Sequence, residues 1–148
     1  MTCLDTDFLK NDEIMLVLDH TAEADPVKKY VPAYYFKVCD RQGRPMGICD
    51  LRIGYCDNLY YGGHIGYGID EPFRGHHYAE KACRLLFELA KKHGMAYLYI
   101  TCVPENTPSR KTCEHLGGEL LEIAELPPDN NMRLEDGKTE VCVFRFAL

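Results

Sequence analysis

Apolar residues fall into short runs separated by turn signals, and only one stretch carries a sustained helical period. Ile14 to His20 (IMLVLDH) reads as a first strand and Ala33 to Cys39 (AYYFKVC) as a second, rich in aromatic and β-branched residues. Between them Thr21 to Tyr30 (TAEADPVKKY) is polar, contains Pro26 and is too short for a long helix. Asp40 to Pro45 (DRQGRP) is a hairpin turn, and Met46 to Tyr55 returns as a third strand, where Cys49, Leu51 and Ile53 alternate with Asp50 and Arg52. Cys56 to Gly63 reads as a polar loop with a Tyr60-Tyr61 pair. His64 to Asp70 (HIGYGID) is a fourth strand holding two glycines, the mark of a bulge or of a close approach by another backbone or ligand.

The helical stretch runs from about His76 to His93. Ala79, Ala82, Cys83, Leu86, Leu89 and Ala90 follow the spacing of one helical face. Lys91, Lys92 and His93 suit the negative end of the dipole, and Gly94 supplies the stop. Met95 to Cys102 is a fifth strand. A shorter helix is expected from an N-cap at Thr107, with Pro108 in the first turn, to Leu116 before Gly117 and Gly118. Glu119 to Glu125 and Val141 to Leu148 are the last strands, with a polar loop from Leu126 to Lys138 between them. The order β-β-β-β-α-β-α-β-β predicts an α+β fold. Its mixed, mostly antiparallel sheet has about seven strands, and the crossover helix makes one parallel pair at its centre. Residues 1–148 are expected to form one domain.

The formal net charge of −6 and the lack of a basic stripe argue against a nucleic-acid surface. No run of 18 apolar residues occurs, so no membrane span is expected, and the acidic start MTCLDTDFLKNDE does not read as a signal peptide. A cytoplasmic location is the expectation. It makes the eight cysteines reduced core residues rather than disulfides or a zinc site, and none forms a C-x-x-C pair.

Candidate chemistry concentrates in Arg74-Gly75-His76-His77-Tyr78-Ala79, where the glycine-marked strand gives way to the long helix. A helix N-terminus offers free N–H groups and about half a positive charge. A glycine turn ahead of it lets those groups close around a phosphate, and Arg74 adds a forked cation. No acidic residue lies between Arg74 and Tyr78, where a helix ordinarily favours one. The alternative is a tight turn at Gly75 beside a solvated arginine. His64, His76 and His77 raise the question of a metal. Adjacent helical residues point about 100° apart, so His76 and His77 do not converge on one ion, and no metal is expected.

The stretch I-G-Y-G-I-D-E-P-F-R-G-H-H-Y-A-E-K-A, with V-P-E-N-T-P-S-R-K-T-C-E-H-L-G-G after it, resembles the core of GNAT acetyltransferases, most closely the branch of ribosomal-protein-alanine N-acetyltransferases. The family signature is Arg or Gln, two residues, Gly, one residue, then Gly or Ala. Arg74 and Ala79 match its ends, and His77 stands where the middle glycine belongs. The resemblance covers residues 33 to 126 and weakens before them, where the family usually has two helices between its first two strands.

The resemblance implies acetyl-CoA as cosubstrate, with its diphosphate held by Arg74, Gly75, His76, His77, Tyr78 and Ala79. It puts the backbone of Tyr67 and Ile69 along the pantetheine arm, with an N–H near Ile69 polarising the thioester carbonyl. Asn106 would hydrogen-bond the arm, and Ser109 the departing thiolate. Many relatives carry a tyrosine four residues beyond that serine; here the position is Cys113. His64, where relatives often have a carboxylate, is the candidate general base, with Asp50 and Glu71 behind it; a half-exposed strand histidine is the alternative. The implied activity is transfer of an acetyl group from acetyl-CoA to a primary amine. The alternative is a CoA-binding module without catalysis. The acceptor stays open, and the apolar final strand VCVFRFAL offers an edge for a homodimer.

Overall fold

A computed structural model describes residues 1–148. The elements are β1 (Ile14–Ala22), β2 (Ala33–Asp40), β3 (Pro45–Arg52), α1 (Asp57–Gly62), β4 (Ile65–Ile69), α2 (Tyr78–Lys92), β5 (Tyr97–Cys102), α3 (Thr107–His115), β6 (Glu119–Glu125), α4 (Asn131–Asp136) and β7 (Glu140–Ala147). A 3₁₀ turn at Glu71–Phe73 precedes α2. β1 to β4 form an antiparallel sheet in sequence order, and β5, β7 and β6 form a second. β4 and β5, joined by the α2 crossover, are the splayed parallel pair. They meet where the His64 N–H donates to the Tyr99 carbonyl at 2.7 Å, and beyond that bond each strand keeps a free edge toward the other.

The period-two runs put one set of side chains under α2. Ala82, Cys83, Leu86, Leu89 and Ala90 are fully buried against Phe36, Cys49, Leu51, Ile65, Leu98 and Ile100. Burying a leucine such as Leu86 contributes about 1.5–3 kcal/mol, so this face holds α2 against the sheet. The opposite face carries a smaller cluster of Ala124, Leu126, Val141 and Val143, flanked by Tyr60, Tyr61, Tyr99 and Met132. All eight cysteines are free thiols, five of them buried. Burial pushes Cys102 up to about 11 and Cys113 up to about 12, so neither is a reactive thiolate at neutral pH.

Several sequence expectations need correction. Cys56 to Gly63 is not a loop but holds α1, and α4 lies inside the Leu126–Lys138 connection on an N-cap, Asn130, whose Oδ1 accepts the Met132 N–H at 2.9 Å. Each has six residues, under two turns, too few to display a period. The N-cap of α3 is Asn106 rather than Thr107. β7 lies between β5 and β6, so the final strand has no free edge, and β6 is the outer strand. Residues 21–32 form no helix and close on an Asp25–Tyr30 bridge. No helix is long and apolar enough to cross a membrane.

Candidate active site

The backbone between β4 and α2 turns through Gly75 at φ +92° and His77 at φ 62°. The Arg74 N–H bonds the Glu71 carbonyl at 3.2 Å, and the next backbone donor with a protein partner is Lys81, to His77 O at 3.1 Å. Gly75, His76, His77, Tyr78, Ala79 and Glu80 therefore present consecutive N–H groups that no protein atom accepts. His77, the N-cap, supplies no side-chain bond. A β-carbon at Gly75 would meet nothing within 4 Å, so the turn is open to a ligand. Arg74 Nε donates to Ile69 O at 2.8 Å, which anchors the side chain across the loop and leaves its terminal nitrogens free. Unpaired amides, a helix dipole and a tethered guanidinium together form an anion cradle. The first carboxylate of α2, Glu80, is turned toward Arg84 and His115, at 3.9 and 3.4 Å.

The open edge of β4 leads to this cradle. His64 O accepts from Arg52 and Asp70 N–H donates to Met46, so the even positions of the strand face β3. By strand alternation the peptide groups of Tyr67 and Ile69 face the gap. The Tyr67 side chain lies on the α2 side and donates its hydroxyl to Ser109 Oγ at 3.2 Å. Burial raises the phenol above its ordinary value, so it stays protonated. The Ser109 N–H in turn bonds Asn106 Oδ1 at 3.3 Å. Tyr67, Ser109 and Asn106 thus form one polar chain at the mouth of the gap. Cys113 is fully buried below it, among core residues.

His64 is not where a general base has to be. Its ring is 0% exposed. Nε2 donates to Gly54 O at 2.9 Å, and Nδ1 accepts the Tyr99 N–H at 3.0 Å. In the neutral form both nitrogens are used, and no lone pair is left for a substrate proton. Burial lowers its pKa, which keeps it neutral. The residue rivets the two sheets at the point where they divide, which corrects its reading as a base. The alternative, a half-exposed histidine, fails as well. Asp50 lies on β3 beside Gly66; its Oδ1 takes the Gly66 N–H at 3.1 Å and Arg52 NH1 at 2.6 Å, while Oδ2 has no hydrogen-bond partner. Glu71 starts the 3₁₀ turn and is exposed.

The sequence model of the acetyltransferase (GNAT) domain matches residues 10–119. The chain belongs to the GNAT acetyltransferase family. Solved GNAT structures share its fold. The microcin C7 self-immunity acetyltransferase MccE, bound to acetyl-CoA and AMP, has 18% identity and a TM-score of 0.61 over 78% of this chain and 61% of that one. The ribosomal-protein-S5-alanine acetyltransferase of Vibrio fischeri has 20% identity and a TM-score of 0.60 over 78% and 61%. RimL, a ribosomal L7/L12 α-N-protein acetyltransferase in complex with coenzyme A, has 18% identity and a TM-score of 0.59 over 82% and 64%. This GNAT chain thus spans less than two thirds of the length of these relatives. No curated protein sequence matches it at a significant level.

Within the GNAT frame, Arg74 to Ala79 run from the loop into the first turn of α2, and Tyr67, Ile69, Asn106 and Ser109 line one gap. His64 stands apart from them, on the riveted side. The sequence points to the backbone of Tyr67 and gives no sign of the part its side chain plays. Its phenol meets a serine 42 positions away, and no local pattern marks such a pair.

Proposed function

We propose that this GNAT chain transfers an acetyl group from acetyl-CoA to a primary amine by direct attack on the thioester. The observation that carries the reading is the run of unpaired amides from Gly75 to Glu80, which suits a diphosphate. With the diphosphate there, the pantetheine arm pairs with the free edge of β4 as an added strand. The amine nitrogen forms a bond to the thioester carbon, and the oxygen gathers negative charge toward the N–H of Ile69. The C–S bond then breaks. Because Tyr67 donates to Ser109 Oγ, the serine hydrogen is left to point at the departing sulfur. Asp50 Oδ2, beside Gly66, is the acceptor for the ammonium proton, directly or through water.

The amine enters from the face opposite α2. Two cavities lie there: one of about 650 Å³ walled by Tyr55, Tyr60, Tyr61, Tyr97 and Tyr99, and one of about 1180 Å³ between α1, α4 and residues 22–33. Tyrosine faces attract an alkylammonium. The reduced thiols fit work in the cytoplasm.

Calorimetry with acetyl-CoA and ATP, paired with thiol release over a panel of amines, tests the reading. Acetyl-CoA binding with amine-dependent thiol release is expected. Binding without release on any amine would favour a non-catalytic CoA module, and no binding would remove both readings. Ser109→Ala is expected to lower kcat about tenfold, the value of one lost hydrogen bond to a developing charge, while KM for acetyl-CoA moves less than about threefold. An unchanged kcat would remove Ser109 from the reaction.

A further inference from the structure

We infer that His77, Glu80 and His115 form a site for a divalent transition-metal ion of the zinc class, tying the start of α2 to the end of α3. One ligand atom from each residue lies within 4.8 Å of the other two. The His115 Nδ1 to Glu80 Oε1 separation is 3.4 Å. Bonds of 2.0–2.1 Å in a tetrahedral site put ligand atoms about 3.4 Å apart, so this pair already has the spacing of a shared ion. His77 is the N-cap of α2 and Glu80 its third helical residue, and both bring a ligand atom to within 4.8 Å of the His115 ring nitrogen. His115 ends α3, where the dipole favours a cation. The imidazole rings of His77 and His115 are 5.8 Å apart, near enough to converge after small side-chain rotations.

The donor set is two imidazoles and one carboxylate, with a fourth position open to water. Nitrogen donors select zinc, cobalt or nickel over magnesium or calcium. Arg84 is the competing cation. Its Nε lies 3.9 Å from Glu80 Oε2, the oxygen away from His115, and its NH2 donates to His115 O at 3.3 Å. Oε1 and the imidazole nitrogens are left for the ion. The site also gives His77 a reason to hold a left-handed backbone that glycine would take without strain. His64 and His76 take no part in this site; the third ligand comes from another helix, 38 positions from His77, which corrects the expectation of no metal drawn from His64, His76 and His77.

The test uses the full chain with Cys3→Ser and Cys56→Ser, which removes two solvent-reachable thiols that could bind metal on their own. After chelator treatment it is titrated with ZnCl₂ by calorimetry and with CoCl₂ by absorbance. One equivalent is expected, with a cobalt spectrum free of thiolate charge-transfer bands and an affinity that falls as pH falls. His115→Ala should weaken binding by more than the ~10–100-fold that loss of an outer-shell partner costs. His77→Gly, which suits the backbone, should do the same in a chain whose circular dichroism is unchanged. Absence of a stoichiometric site in the parent, thiolate bands, or affinity unchanged from the parent in either histidine variant would overturn the assignment.

Discussion

Replacing Gly75 with glutamate is expected to weaken acetyl-CoA binding by at least ~100-fold in calorimetry. The turn is open around Gly75, and its N–H begins the run of free amides. A glutamate there brings a carboxylate to within about 5 Å of a bound diphosphate, and at an effective dielectric near 20 each pair of unit charges repels by about 3 kcal/mol. About 2.7 kcal/mol is a hundredfold in affinity. The glycine also holds φ +92°, so any side chain adds strain. Gly75→Asn separates the two effects, because asparagine is uncharged and tolerates the left-handed region. It should retain affinity within about tenfold, and the glutamate variant should recover part of its loss in high salt. Wild-type affinity in Gly75→Glu would move the diphosphate out of this loop.

What the sequence reveals here depends on whether a feature is local. α2 follows a hydrophobic period of 3.6 and strands such as β2 a period of two, α3 is marked by Pro108 and by Gly117-Gly118, and the limits of α2 and β6 lie within two residues of expectation, because apolar faces and Gly94 act nearby. The anion cradle is also local: six consecutive amides, Gly75 and Arg74 occupy one stretch. α1 and α4 are not legible, since a helix of six residues owes its existence to packing rather than pattern. Pairings across the fold are equally hidden. Tyr67 meets Ser109, His115 meets Glu80, and His64 meets Tyr99, each over more than 30 positions. The misreading of His64 has that origin. A histidine just before a glycine-marked strand reads as reachable, and only the folded chain shows both its nitrogens spent on backbone.

His64→Ala is expected to lower folding stability by about 3–5 kcal/mol, measured by urea denaturation at pH 7.5. The substitution opens a void at the junction of the sheets and leaves the Tyr99 N–H and the Gly54 carbonyl without partners. A buried group left unsatisfied costs about 1–3 kcal/mol, and the lost packing adds to it. A catalytic base would behave differently: stability would survive and turnover would vanish. The same bonds set a pH dependence. Burial lowers the pKa of His64, and of His93, whose Nε2 pairs with the Tyr34 hydroxyl at 2.6 Å. The unfolded chain therefore takes up protons at a higher pH than the folded one, and stability rises with pH in that range. It is fully present above about pH 6.5, the unperturbed histidine value, and is lost as pH falls from there toward the lowered folded values. Each histidine contributes at most about 1.4 kcal/mol per pH unit in that window. The part of the slope that disappears in a folded His64 variant belongs to the rivet. A wild-type stability flat from pH 7.5 to 5 would mean that the ring is hydrated, and the two sheets would then be held at their junction by something other than this histidine.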